Sequence, residues 1–377
     1  MGHHAPPRVR RYPAPRRLGD TQLTHGIQLT HGTKERTMTT EPDSSADDAG
    51  PRGTASATDP TPAQLVTTSK AKIGAADLIF KNLTRTAGIG LLVLIAAIAL
   101  FLVLRATDAL SANTGNFFGT QEWFPNQTPP KFGVAATLFG TIVTAAIAMI
   151  IAVPVAVGIA LFITVYAPRQ LASVLGYVVD LLAAVPSVVY GLWGLIVLAP
   201  HMKGTQLWLN DVLGWIPLFS ADAVGRSFLV AGVVLAIMIL PIVAALSREV
   251  FLQVPNAHRE AALALGATRW EMIRTAVLPY GRPGVISASM LGLGRAMGET
   301  IAVALVLPAS FKISVHWLEP AGNTIAANVA NGWGEANEIG RGALIASGLV
   351  LFIVTMVVNM IARAIVARRR DFSGSSA

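Results

Sequence analysis

Two charged residues sit where charge is expensive. Arg295 and Glu299 lie four apart inside the apolar run 284–307, and a charge in mid-span costs about 2.5–3.5 kcal/mol on insertion scales. A residue retained against that cost faces a bundle interior or a wet cavity and has a partner. On one continuous helix the i, i+4 spacing puts both on one face, where they can pair, although Arg ahead of Glu is the weaker order. The guanidinium offers a planar fork of donors suited to an oxyanion. Glu299 would hold that fork in place and keep the anion weakly enough bound to leave. The competing reading is structural: a buried ion pair that fixes this helix against a second chain. Small residues flank the pair. Gly294 and Gly298 are four apart, as are Gly292 and Ala296, so another helix can approach closely, from within this chain or from a neighbour.

Other chemistry is excluded by what the sequence lacks. There is no cysteine, hence no disulfide framework and no thiolate nucleophile or ligand. The seven His show no metal-ligand spacing, HExxH is absent and no GxxxxGK[ST] loop occurs. No catalytic residue, metal or cofactor is therefore expected, and nucleotide chemistry belongs on another chain. The net charge of +8 does not imply nucleic acid, because residues 1–37 alone carry seven Lys/Arg against two Asp/Glu.

The elements that must position Arg295 and Glu299 are membrane spans. The chain is 53% hydrophobic and only 13% charged, about half the charge of a soluble chain. Its apolar residues gather into six runs at 87–104, 133–166, 179–200, 228–246, 284–307 and 342–366. A span needs about 20 residues; the second run, with 34, reads as one long helix kinked at Pro154. From Lys70 onward, six spans with both ends cytoplasmic put fourteen Lys/Arg inside and six outside, as the positive-inside rule requires. Asp180, at the inner edge of the third span, reads as a solvated helix-end charge. Residues 70–86 form a basic juxtamembrane segment and 371–377 a short tail. Residues 1–69 have no core-forming run and read as a disordered tail. Its basic part, 1–37, is either an upstream extension before Met38 or an arm for anionic membrane lipid.

The longest inner loop, 247–282, predicts two helices with a sharp turn. Pro255 stops one helix and Asn256 is a suitable N-cap for the next. Gly266 supplies a left-handed end, and Thr268 with Glu271 forms a capping box for a restart. Trp270, Ile273 and Val277 fall on one face of that restart, and Leu278-Pro279 closes it. Such an element either docks into a partner's groove or packs on its own membrane domain.

Glu260-Ala261-Ala262, Gly266 and Leu278-Pro279 match, at fixed spacing, the EAA motif, so the chain resembles the permease subunits of ABC importers; Ala276 stands where the pattern prefers Ile. Gly294-Arg295-Ala296-Met297-Gly298-Glu299-Thr300, with Ala183 to Gly194 and Ile239 to Val243, resembles the phosphate-specific transport permeases of the PstC type. The likeness covers about residues 85 to 370. It implies an all-α integral membrane protein of the type I importer (MetI-like) kind, in which the EAA loop seats on an ATPase. It also implies a homologous PstA-type permease, two PstB-type ATPase subunits, a PstS-type binding protein outside and phosphate as substrate. Other oxyanions, such as sulfate or molybdate, and a scaffold reporting phosphate status to a kinase are the alternatives. The outer loop 308–341, with Trp317 and Trp333, either meets the binding protein or anchors at the interface.

Overall fold

The computed structural model describes residues 75–370 except Ala223, without the side chains of 75–76 and 365–370. The expected tails, 1–69 and 371–377, and residues 70–74 lie outside the described residues. The first helix, α1 (Ala75–Ala112), runs 38 residues, about 57 Å. It absorbs the first apolar run together with Lys81 and Arg85 before it. None of its apolar centre is buried within this chain; its main packing is on the last helix, and Ala109 near its end joins a small cluster with Phe132. A two-residue antiparallel hairpin, β1 (Trp123–Phe124) with β2 (Lys131–Phe132), follows.

Next comes α2 (Ala135–Leu161), prolonged by one π turn over Phe162–Tyr166 into a single 32-residue span. Pro154 lies inside it, so the second run is one helix, as its lack of polar turn residues required. The third run departs from expectation. It is split between α3 (Arg169–Ala183) and α4 (Ser187–Trp193), which continues through a π turn into α5 (Ala199–Leu213). The two halves meet at 87°. Proline is the cause: Pro186 has no N–H and disfavours helical backbone at the residue before it, and it sits extended at φ −60°, ψ 139°. The Tyr190 hydroxyl donates to the Leu182 carbonyl across the bend at 3.0 Å, beside the Val185 N–H that the same carbonyl accepts at 3.3 Å.

The fourth run is α6 (Phe228–Leu252), the most buried helix of the bundle. It packs against α2, α3 and the fifth run's helix, and the main apolar core gathers around it. Beyond it stand α7 (Asn256–Ala264) and α8 (Arg269–Met272), the latter passing through a π turn into α9 (Leu278–Met297). Then α10 (Ile301–Val306), α11 (Ile325–Gly332) and α12 (Glu338–Arg370) complete the chain. The fifth apolar run is thus also broken, at Gly298-Glu299-Thr300. Among the described residues four helices are long and apolar enough to cross a membrane, five if the bent pair is one span, against the six expected. Both shortfalls arise where a proline or a glycine-charge-threonine sequence interrupts an apolar run.

Candidate functional site

The two breaks come together. Helix α4, just after the first, packs on α10, just after the second. Gly191 makes this possible, because a Cβ there would stand 2.6 Å from the Ala302 backbone, and only a missing side chain lets the two helices approach so closely.

The expected Arg295–Glu299 pair does not form. The helix ends at Met297, so the two no longer share a face, and no salt bridge joins them. Glu299 is buried and its carboxylate accepts from the Ala302 N–H at 3.1 Å, capping the start of α10. A carboxylate at a helix N-terminus meets unsatisfied N–H groups and the positive end of the helix dipole, so ending α9 here serves the buried charge better than continuing it. The other end of α10 is closed by Arg226, which donates from Nε to Val306 at 2.8 Å and from Nη2 to Leu305 at 2.7 Å and Leu307 at 3.1 Å. The short helix is held by a carboxylate at its positive end and a guanidinium at its negative end. Charge-assisted bonds of this kind contribute about 1.5–3 kcal/mol, so Arg226→Ala should lower the thermal stability of the purified protein by about that amount.

Arg295 is left exposed and, among the described residues, makes no hydrogen bond or salt bridge. It lines a cavity of about 880 Å3 between α6, α9 and α12. Of the small residues beside it, Gly292 packs inside this chain, where a Cβ would press on Val243 of α6 at 2.7 Å. Gly294 lines the same cavity as Arg295, with nothing within 4 Å of where its Cβ would be. Gly298 ends α9, closest to the carbonyl of Gly294.

At the far end of α9 stands the EAA segment. Helix α7 carries Glu260, Ala261 and Ala262 and buries none of its residues within this chain. It starts at Asn256 with Pro255 in the cap position, one residue earlier than expected, and Asn256 therefore makes no side-chain cap. Its end is a full Schellman turn: Gly266 at φ +83° donates to Leu263 at 3.0 Å, and Ala267 donates to Ala262 at 3.2 Å. The capping box at Thr268 and Glu271 is present. The Glu271 carboxylate accepts from the Thr268 N–H at 2.8 Å, and the Thr268 hydroxyl accepts from the Glu271 N–H at 3.3 Å. The Thr268 backbone and side-chain hydrogen bonds hold the Glu271 carboxyl below the usual carboxylate range. A depressed carboxyl stabilises the folded turn at neutral pH, and that contribution is lost as pH falls through its lowered pKa.

Two expectations for this segment fail. Trp270 is exposed, while Met272, Ile273 and Val277 form the buried face. Leu278-Pro279 does not close the helix. The intervening π turn, with Leu278 N–H on the Ile273 carbonyl, lets a residue without an N–H enter α9 without breaking it. The turn at Gly266 is thereby joined through an uninterrupted helical path to Arg295. Arg259 clamps the start of the element, donating to the Phe251 carbonyl at 2.6 Å.

Several placements were not legible in the sequence. Arg226 bonds carbonyls some 80 residues away, a link with no local pattern. Asp180 is not merely solvated: it meets Arg248 of α6 at 3.6 Å. In the segment 308–341, Trp317 packs edge-on to Phe219, and Trp333 lies under Arg341. Nearby Glu319 is held below its usual range by the Ser314 hydroxyl first, then by Lys312 and His316.

Residues 152–371 match the family of binding-protein-dependent transport system inner membrane components, a stretch running from within α2 to just past the end of α12. The phosphate transport system permease protein PstC 2 of Mycobacterium tuberculosis is 47% identical over 76% of this chain and 90% of its own length. PstC of Xylella fastidiosa is 46% identical over 78% of this chain and 91% of its own. Among solved structures, an inward-facing MetNI methionine ABC transporter aligns over 63% of this chain and 94% of its own, at 19% identity and a TM-score of 0.42; the assignment rests on the sequence relatives. The chain is a multi-pass membrane permease of the binding-protein-dependent transport family and belongs, within it, to the PstC permeases.

Proposed function

We propose that this chain is one permease subunit of an ATP-driven importer and that it passes inorganic phosphate across the bacterial plasma membrane, with both termini cytoplasmic. The observation that carries this reading is Arg295: an exposed guanidinium, bonded to no described residue, in a cavity lined by no acidic side chain. A planar donor fork in that setting suits a tetrahedral oxyanion, and the relatives' names supply phosphate as its identity. Glu299 contributes indirectly, by fixing the short helix that follows Arg295. The chain provides no hydrolytic chemistry. ATP hydrolysis belongs to two PstB-type subunits that seat against Glu260, Ala261, Ala262 and the Gly266 turn, with Leu278 and Pro279 passing the motion into α9. A PstA-type permease completes the path and a PstS-type protein delivers phosphate from outside. In proteoliposomes holding the assembled complex, excess unlabelled phosphate should abolish ATP-driven uptake of radiolabelled phosphate, and equal excesses of sulfate or molybdate should leave it unchanged. Equal suppression by either anion would overturn the substrate assignment.

A further inference from the structure

The cavity that holds Arg295 contains a second guanidinium. Arg363 of α12 lines it as well, together with Asn359 one helical turn earlier and Ser287 of α9. Both arginines and Asn359 are exposed on the surface of this chain. None of the three makes a hydrogen bond or salt bridge with any described residue, and no Asp or Glu is among the lining residues. The Ser287 hydroxyl donates to the Pro283 carbonyl at 3.0 Å, which leaves its oxygen as an acceptor. Ser287 and Arg295 are eight residues apart, about 12 Å along the helix, so the polar lining runs along the cavity rather than clustering at one mouth.

This composition is unfavourable when empty. Two like charges line one cavity with no carboxylate among its lining residues, so they repel one another until a counter-charge enters. An anion with several acceptor oxygens offers these donors the partner they lack, and a planar fork favours oxyanions over spherical ions. The volume is within the range of small-ligand sites.

We infer that this cavity is a binding site for a phosphate group, held by Arg363 and the Asn359 amide together with Arg295. The phosphate group comes either as the free anion or as the headgroup of an anionic phospholipid. The site shares Arg295 with the transport reading but is tested apart from it: wild-type uptake tests that reading, and binding to Arg363 variants tests the site.

The assembled complex is placed in nanodiscs of neutral lipid doped with phosphatidylglycerol. Equilibrium binding of radiolabelled inorganic phosphate is measured on it, and retained phosphatidylglycerol is counted by native mass spectrometry. Arg363→Gln should lower phosphate occupancy about tenfold if the free anion is bound, or strip the retained phosphatidylglycerol if the headgroup is. Arg363→Lys, which keeps the charge and guards against a folding defect, should fall between wild type and Arg363→Gln. Wild-type levels of both ligands in Arg363→Gln, or neither ligand bound by the wild type, would overturn the inference.

Discussion

Arg295→Gln should leave the complex inserted and assembled yet cut phosphate uptake about 10- to 100-fold, the loss that accompanies removal of charge-assisted hydrogen bonds of about 1.5–3 kcal/mol. Assembly should survive because Arg295 holds nothing in place: it is exposed and bonds no described residue, whereas Glu299 and Arg226 secure α10 without it. Arg295→Lys keeps the charge but replaces the planar fork by a point donor, and uptake should fall about tenfold rather than recover. Transport assays on complexes matched for subunit content by gel filtration give both values. Wild-type uptake in Arg295→Lys would exclude the fork. Collapse of the complex in Arg295→Gln would instead return the residue to a structural role.

The second large effect is expected far from the cavity. Gly266 sits at φ +83° with nothing within 4 Å of where a Cβ would be, so substitution there strains the backbone without creating a clash. A β-branched residue held in that conformation costs about 1–3 kcal/mol. Gly266→Val should therefore open the turn between α7 and α8 while the membrane helices stay folded. ATP-driven uptake should drop by at least about fivefold, and ATPase activity should lose its dependence on the transport cycle. Gly266→Asn, which tolerates the left-handed region better, should retain most of the uptake. The contrast between the two variants separates backbone conformation from a general dislike of side chains at this position.

Local signals in the sequence located the turn between α7 and α8 well. Gly266 and the Thr268–Glu271 box are chemistry confined to a few residues, and both appear in the structure as the spacing demanded. The same locality explains the failures. Apolar runs report what a segment is soluble in, not whether its helix is continuous. Pro186 splits the third run by removing a donor, yet Pro154 and Pro241 remain inside intact helices. What differs is the backbone that can relax around each proline, which depends on packing rather than on sequence. Leu278-Pro279 misled for a related reason, since a π turn upstream makes room for a proline that would ordinarily end a helix.

The site was half legible. The cost of charge in an apolar run drew attention to Arg295 and Glu299, but the i, i+4 pairing assumed a helix that ends between them. Once it ends, the carboxylate finds the N-terminus of α10 and the guanidinium is released to the cavity. Arg363 was legible only as a charge near the end of the last span, because its cavity is assembled from α6, α9 and α12, which meet only in the fold. Gly292 carried two readings, and its contact with Val243 of α6 gives it a packing role inside this chain.

Everything rests on the segment from Glu260 to Pro279 facing the side where ATP is hydrolysed. The chain contains no cysteine, and Leu265 at the tip of the element is 90% exposed, so Leu265→Cys gives a single reporter without further engineering. A membrane-impermeant maleimide should leave it unlabelled in intact cells and label it in inverted membrane vesicles. Labelling in intact cells would place the element outside and contradict the proposed coupling.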